Sequence, residues 1–110
     1  MEIIETSHPQ GLVLSLKGRL DGHASPLVGG SIDAALAGKP ARLIFDLTEL
    51  EYVSSAGLRV FLTAAKKCQT LGVTAVFVHL QPSILEVFEL SGFLAVLNVR
   101  STVAEALELV

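Results

Sequence analysis

Two adjacent serines, Ser54 and Ser55, are the side chains of this sequence that are best placed to take part in chemistry. They directly precede a 3.6-residue apolar repeat, which predicts an amphipathic helix that begins at the serines and ends at Gly72. The first turn of a helix offers unpaired N–H groups and a partial positive charge to a hydroxyl there. Serine is also common at this position simply as a helix cap, so both interpretations stay open. The predicted apolar stripe is Leu58, Phe61, Leu62, Ala65 and Cys68, and the predicted opposite face is Arg59, Thr63, Lys66, Lys67 and Thr70.

Sequence patterns typical of enzymes do not account for these serines. A serine nucleophile is expected within G-x-S-x-G, whereas Val53-Ser54-Ser55-Ala56-Gly57 lacks the first glycine. The three histidines, His8, His23 and His79, are not spaced as metal ligands. A Walker A loop and the dinucleotide-binding glycine pattern are also absent from the sequence. We therefore expect no enzymatic activity, no catalytic residue, no metal and no cofactor.

Two aspartates are further candidates for a functional site. Asp46 ends an apolar run and Asp21 lies in the predicted loop 18–22, so both are expected near the carboxyl ends of strands. Two carboxylates without a recognisable acid–base environment are weak evidence for a reaction. Asp46 is expected to accept hydrogen bonds from the loop that follows it. Asp21 could instead serve only as a turn residue, because aspartate is common in glycine-flanked turns.

The elements that must position these side chains alternate between strands and helices. The runs 43–47 and 73–78 are almost continuously apolar, as is typical of strands covered on both faces. Residues 3–6 and 12–17 flank turn residues and predict an antiparallel hairpin, and residues 95–99 predict a last strand. The sequence therefore predicts an α/β fold. Its mixed sheet combines an N-terminal antiparallel hairpin with parallel strands and is packed with about four α-helices.

Capping residues predict where the other helices begin and end. Ser25-Pro26 is expected to supply the N-cap and first residue of a helix that ends at Gly38-Lys39-Pro40. Pro82 is predicted to begin a helix that ends at Ser91-Gly92, and the capping-box pattern 102–105 predicts a C-terminal helix. Gly29 and Gly30 are unfavourable inside a helix, and we expect them to allow close packing on a neighbour. The predicted apolar stripe of the first of these helices is Leu27, Val28, Ile32, Ala35 and Leu36.

Length and composition indicate one folded domain, residues 1–110. The chain is 51% hydrophobic and 17% charged, which is enough apolar material for a core. Its net charge of -3 argues against a nucleic-acid-binding surface, which needs a basic face. There is no apolar run of about 18 residues and no signal-peptide pattern, so the expected location is the cytoplasm. The single cysteine, Cys68, excludes an internal disulfide and is expected to be a buried structural thiol.

Three separated motifs resemble one known family in the same order. Gly18-Arg19-Leu20-Asp21 is similar to the family's G-x-L-D after its second strand. The run 43–47 followed by Val53-Ser54-Ser55-Ala56-Gly57-Leu58 resembles the family's D-L followed by D/S-S-S/T/A-G-L. The segment 82–93 resembles P-x-V-x-x-x-F/L-x-x-S-G-L. On these motifs the chain resembles the STAS domain over almost its whole length, and within it the stand-alone anti-sigma factor antagonists.

The resemblance implies a specific role for Ser55. In that family the matching serine is phosphorylated by a partner that is both a GHKL-type serine kinase and an anti-sigma factor, and a PP2C-type phosphatase reverses the modification. Asp21 matches a position that the family uses in partner contact and phosphorylation, and Ser54 stands where the family often has aspartate. The resemblance also implies no direct nucleic-acid binding, no membrane insertion, and a monomer or weak dimer. The implied partner-binding residues are Asp21, Ser54, Ser55, Ala56, Gly57 and Arg59.

Two other functions compete with this one. A STAS domain can act as a non-switching adaptor subunit of a transport or signalling complex, which needs no phosphate on Ser55. A small enzyme with Ser55 as nucleophile would react with an acyl or phosphoryl probe in the absence of any partner. The identity of the partner protein separates the adaptor from the switch.

Overall fold

The central element of the fold is a mixed sheet with helices on both faces. The computed structural model describes residues 1–109, and Val110, the last residue of the predicted domain 1–110, lies outside them. The strands are β1 (Glu2–His8), β2 (Gly11–Leu20), β3 (Arg42–Asp46), β4 (Leu50–Val53), β5 (Thr74–Val78) and β6 (Val99–Arg100). The helices are α1 (Ser25–Ala37), α2 (Ser55–Leu71), α3 (Pro82–Leu90) and α4 (Val103–Leu107), with a 3-10 helix at Phe93–Ala95.

The strand order confirms the predicted mixed sheet. β1 and β2 form the antiparallel hairpin, and the strands lie in the order β1-β2-β3-β5-β6. β3, β5 and β6 each pair in parallel with the strand before them in this order. β4 pairs in parallel with the last residues of β2, beyond the end of β3. The carboxyl ends of β2 and β4 therefore lie side by side.

A cluster of phenylalanines anchors two helices to the middle of the sheet. The Phe45 and Phe77 rings, on neighbouring strands, stack with centroids 4.7 Å apart. Phe61 of α2 contacts both rings edge-on, with centroids 5.7 Å and 5.1 Å away. Phe88 of α3 packs against Phe61 and Phe77 with centroids 6.1 Å away. All four rings are fully buried, so the orientation of α2 on the sheet is fixed in its first half.

The two faces of the sheet are covered unequally. The larger core contains side chains of α1, α2 and α3 packed on one face of the sheet. The smaller core joins Val13, Ile44, Val76 and Val78 to Ala106 of α4 on the other face. Residues 43–45 and 76–78 are at most marginally exposed, which confirms that β3 and β5 are covered on both faces. Within residues 1–109, no helix combines the length and the apolar character that crossing a membrane requires.

Helix α2 has the boundaries and the buried face that the sequence indicates. It ends at Gly72, whose φ of 73° lies in the left-handed region and whose N–H donates to the last carbonyls. Cys68 is 1% exposed, as predicted, and burial raises the pKa of its thiol. The centre of the buried stripe differs slightly from the prediction, because Ala64 is buried while Leu58, Leu62 and Ala65 are only partly covered.

The end of β2, the whole of β4 and the start of β6 differ from the sequence prediction. The predicted loop at 18–22 begins three residues too early, because β2 continues to Leu20 and pairs there with β4. β4 itself lies in a segment that we predicted to be only a loop. The predicted strand 95–99 is wrong for all but Val99, since the Phe93 carbonyl accepts the N–H groups of Val96 and Leu97. These bonds belong to a 3-10 helix, so β6 begins only at Val99 and ends at Arg100.

Helix α1 is correct in extent, but its start and its buried stripe differ from the prediction. Ala24, not Ser25, occupies the N-cap, and Ser25 is the first helical residue. The Ser25 hydroxyl donates to the backbone carbonyl of Asp21 at 2.7 Å, so it is unavailable as a cap. Leu27 is part of the predicted buried stripe, yet it is 55% exposed. Consecutive residues of an α-helix point about 100° apart, so Leu27 lies off the face that Val28 buries.

The expectation that Gly29 and Gly30 allow close packing within the chain is wrong. A Cβ atom built on either residue meets no atom within 4 Å. Both residues therefore face open space, and nothing in residues 1–109 uses their lack of a side chain.

Replacing Gly30 with alanine should therefore stabilise the protein. We expect Gly30→Ala to raise the free energy of unfolding by up to about 1 kcal/mol, because alanine costs less conformational entropy in a helix and clashes with nothing here. Urea unfolding followed by circular dichroism measures the change. A loss of stability would contradict the open environment of this position.

Candidate functional site

The candidate site is built where β2 and β4 end side by side. Leu20 pairs with Val53 at the last position of the two strands. The Ser54 N–H then donates to the Leu20 carbonyl at 2.9 Å, which extends the pairing by one step. Asp21 follows directly after β2, and Ser54 follows directly after β4. The structure therefore brings the Asp21 loop and the start of α2 together, although Asp21 and Ser54 are 33 positions apart in the sequence.

Gly57 makes this junction tight. A Cβ atom on Gly57 would lie 2.7 Å from Leu20 Cγ, 2.8 Å from the Leu20 carbonyl oxygen and 2.9 Å from Val53 Cγ2. Two of these atoms are packed side-chain carbons and one is backbone, so a methyl group cannot be accommodated without moving α2. Gly57 is thus a structural member of the site: it is buried and sets how closely α2 approaches β2.

The two serines have different roles. Ser54 is the N-cap of α2, with extended backbone angles, and its side-chain oxygen accepts the Gly57 N–H at 3.1 Å. Its carbonyl accepts the Leu58 N–H at 2.9 Å. Ser55 is exposed, and its hydroxyl makes no hydrogen bond to any residue from 1 to 109. The sequence left open whether these serines only cap the helix. Ser54 is the cap, and Ser55 has no capping role.

Two N–H groups at the start of α2 have no intrahelical partner. The first four N–H groups of a helix lack an intrahelical carbonyl. Of these four, the Ser54 N–H donates to the Leu20 carbonyl and the Gly57 N–H donates to the Ser54 side chain. Those of Ser55 and Ala56 therefore remain available, next to the free Ser55 hydroxyl. Together with the helix dipole, they produce a local preference for negative charge at this hydroxyl.

Asp21 is held rigidly beside this helix start. Its carboxylate accepts the N–H groups of His23 and Ala24, each at 3.0 Å. Its backbone carbonyl accepts the Ser25 N–H and hydroxyl at 3.0 Å and 2.7 Å. The Ala24 N–H, and after it the His23 N–H, hold the pKa of the Asp21 carboxyl below its ordinary value. Asp21 is thus an ionised residue that shapes the entry into α1 as well as a candidate contact residue.

The remaining predicted residues lie around Ser55 without forming a reactive cluster. Ala56 is half-buried, and Arg59 is exposed one helical turn after Ser55. Asp46 lies outside the site, because its carboxylate accepts the N–H and hydroxyl of Thr48 at 3.1 Å and 2.6 Å. The expectation that Asp46 serves the loop that follows it is confirmed.

Two residues that no sequence motif singled out border the site. Arg19 and Tyr52 pair across β2 and β4, one step before Leu20 and Val53. The Arg19 guanidinium lies 4.2 Å from the centroid of the Tyr52 ring, a cation–π contact on an exposed surface. The missed strand β4 hid this pair, and the β-forming Tyr52-Val53 dipeptide was the signal that could have revealed it.

The fold and the site define a small α/β domain with an exposed serine hydroxyl at a helix start. The chain belongs to the STAS domain family, which matches residues 2–106. It is 34% identical over 91 residues to a candidate anti-sigma factor antagonist of Bordetella bronchiseptica, BtrV, covering 83% of this chain and 78% of that protein.

Solved structures of similar proteins share this fold. An anti-sigma factor antagonist from Mycobacterium paratuberculosis has a TM-score of 0.88 and 24% identity, over 96% of this chain and 90% of that one. The antagonist SpoIIAA, solved in its unphosphorylated form, has a TM-score of 0.81 and 20% identity, over 97% and 94%. A sulfate transporter family protein from Wolinella succinogenes has a TM-score of 0.76 and 14% identity, over 86% and 80%.

The different roles of the serines predict different effects of their removal. Ser54→Ala should lower the free energy of unfolding by about 1 kcal/mol, because it leaves the Gly57 N–H without its partner. Ser55→Ala should change it by less than about 0.5 kcal/mol, as for other exposed positions. Urea unfolding of both variants measures the difference. Equal losses from the two substitutions would contradict this assignment of the cap.

The lowered pKa of Asp21 predicts a pH-dependent contribution to stability. Ionised Asp21 stabilises the folded state at pH values above the ordinary carboxyl pKa of 3.8, and this contribution is lost as the pH falls through the lowered pKa. Asp21→Ala should therefore destabilise the protein more at pH 7 than at pH 2.5. Urea unfolding at the two pH values measures this, and NMR titration of the Asp21 carboxyl should give a pKa below 3.8. An equal effect at both pH values would contradict the role of the charge.

Proposed function

We propose that this protein is a cytoplasmic anti-sigma factor antagonist whose binding is switched by phosphorylation of Ser55. The unmodified protein binds an anti-sigma factor that is also a GHKL-type serine kinase, and so releases a sigma factor. The kinase then modifies Ser55, and a PP2C-type phosphatase restores it. The domain acts by binding and not by catalysis, as a monomer or weak dimer in which residues 1–110 form one unit.

The observation that carries the proposal is the separation of capping from the free hydroxyl. Because Ser54 satisfies the helix start, Ser55 can be modified without loss of a hydrogen bond that the fold needs. A phosphate adds a charge of about −1.5 to −2 and three strong acceptors. The open N–H groups of Ser55 and Ala56 and the helix dipole can stabilise that charge within the domain. The fold therefore tolerates both states of Ser55.

The effect on binding follows from the surroundings of the hydroxyl. Ser55, Ala56 and Arg59 form one exposed or half-exposed surface beside the Asp21 loop. A partner seated on this surface has to desolvate a phosphate dianion or bring carboxylates of its own close to it. Either cost weakens the complex, as buried unpaired charge does in interfaces. The names of the related proteins support the general role, since BtrV is named as a candidate anti-sigma factor antagonist and SpoIIAA as an anti-sigma factor antagonist.

The adaptor function is the second candidate. The similarity of the fold to a sulfate transporter family protein favours it, since the fold occurs within transport proteins as well. An adaptor would bind one partner regardless of the charge at Ser55.

A pull-down from the lysate of the native host separates the two functions. Wild type and Ser55→Ala should recover a kinase-like protein, whereas Ser55→Glu should recover at least tenfold less of it. Mass spectrometry identifies the protein and should find phosphate on Ser55. Ser7→Glu is the matched control, because it adds the same charge at the exposed hairpin end of β1, away from the site. Equal recovery by all four proteins, with Ser55 never phosphorylated, would contradict the switch.

A further inference from the structure

A cleft between α1 and α2 has no occupant within residues 1–109. Its larger part, with a volume of about 580 Å³, lies between the C-terminal halves of the two helices, over Leu36 and Leu71. A smaller part of about 170 Å³ continues toward the start of α2, between Gly29 and Arg59. Asp33, Thr63 and Lys67 border both parts, so the two form one elongated groove, named here the α1–α2 cleft.

The charges along the α1–α2 cleft are strongly unequal. Among the described residues that line it, four are basic and one is acidic, although the whole chain has eight basic and eleven acidic residues. The acidic residue, Asp33, is already paired with Lys67 across the cleft at 2.6 Å. Arg59, Lys39 and Lys66 make no ion pair with any residue from 1 to 109. An acidic protein thus concentrates half of its cations in one groove.

The shape of the cleft fits an extended or helical segment better than a compact ligand. Along α2 it runs from Arg59 to Leu71, about 18 Å at the rise of an α-helix. Its floor is apolar, with Ile32 and Leu36 buried and Leu71 44% exposed. Open space above Gly29 would let another backbone approach α1 closely, which gives this otherwise costly helical glycine a use. An amphipathic helix of about three turns uses such a groove through its apolar face.

The cleft is also continuous with the surface around Ser55. Arg59 lines the cleft and lies one turn of α2 after Ser55. We propose that the α1–α2 cleft receives an acidic amphipathic segment of the same partner protein that the Ser55 surface binds. This inference rests on the proposed function. The cleft contact supplies affinity through charge complementarity, and the Ser55 contact makes that affinity dependent on phosphorylation.

Two charge variants with opposite expected signs test the inference. The probe is the kinase-like partner recovered by the wild type, purified and titrated against each variant by isothermal calorimetry in about 50 mM salt. Lys66→Glu should weaken binding roughly five- to tenfold, because it repels an acidic segment. Asp33→Asn should strengthen binding roughly two- to fivefold, because it removes the one acidic residue lining the described cleft and frees Lys67. Both effects should shrink at about 0.5 M salt, since the charges are exposed.

The control is Lys17→Glu, which makes the same charge reversal on a lysine that lies outside the cleft and pairs with Glu49. It should leave affinity within about twofold of wild type. Thermal unfolding establishes that each variant is folded, and Thr63→Trp, which fills the middle of the cleft from an exposed position, should block binding without any change of charge.

The outcomes separate this inference from the proposed function. If Ser55→Glu weakens binding but Lys66→Glu, Asp33→Asn and Thr63→Trp do not change it, the cleft proposal is overturned and the switch stands. If the cleft variants follow the expected signs while Ser55→Glu binds like wild type, the switch fails and the cleft stands. If sedimentation shows instead a dimer of this chain that Lys66→Glu dissociates, the cleft binds a second copy and the proposal is overturned.

Discussion

The close approach of Gly57 to Leu20 is the contact on which the site depends. The first turn of α2 rests on the last residue of β2, with no room for a Cβ atom between them. The hydrogen bond from the Ser54 N–H to the Leu20 carbonyl fixes the same two segments in register. With α2 held in this way, Ser55 can only lie beside the loop that begins at Asp21. A shift of α2 by the width of a methyl group would separate them, so this glycine acts on function through position alone.

The rest of the fold makes that position rigid. The phenylalanine cluster ties α2 to β3 and β5 from one side, and the buried face of α1 packs against the same core. The Asp21 loop is held independently, because Asp21 satisfies N–H groups at the start of α1 with both its carboxylate and its carbonyl. Both halves of the site are thus ordered before any partner binds. A preorganised surface loses little conformational entropy on association, which favours a switch that works by charge and not by refolding.

The limits of the sequence prediction lie where structure depends on distant contacts. The extent of α2 could be predicted because its apolar period, its serines and Gly72 are all local signals. β4 could not, since four residues make a strand here only because β2 extends beyond β3 and offers them an edge. The start of α1 was misplaced by one residue because a side chain four positions earlier, Asp21, takes the capping role. The sequence alone could not decide whether Ser54 or Ser55 caps α2. The extended backbone of Ser54 decides it, and Ser54 is the cap.

The division between the two serines also explains how one surface would serve both states of the proposed switch. If a single serine had to cap α2 and accept a phosphate, modification would remove a hydrogen bond and disturb the helix start that positions the site. Because Ser54 is the cap, Ser55 makes no hydrogen bond that the fold needs. A phosphate on Ser55 would therefore act on a partner bound at this surface and not on the stability of the domain. The basic α1–α2 cleft begins one turn further along the same helix. If both proposals hold, the cleft sets how tightly the unmodified protein binds its partner, and the phosphate on Ser55 opposes the contact beside it. The two electrostatic contributions are then separable, because one depends on the fixed charges of the sequence and the other on the phosphate.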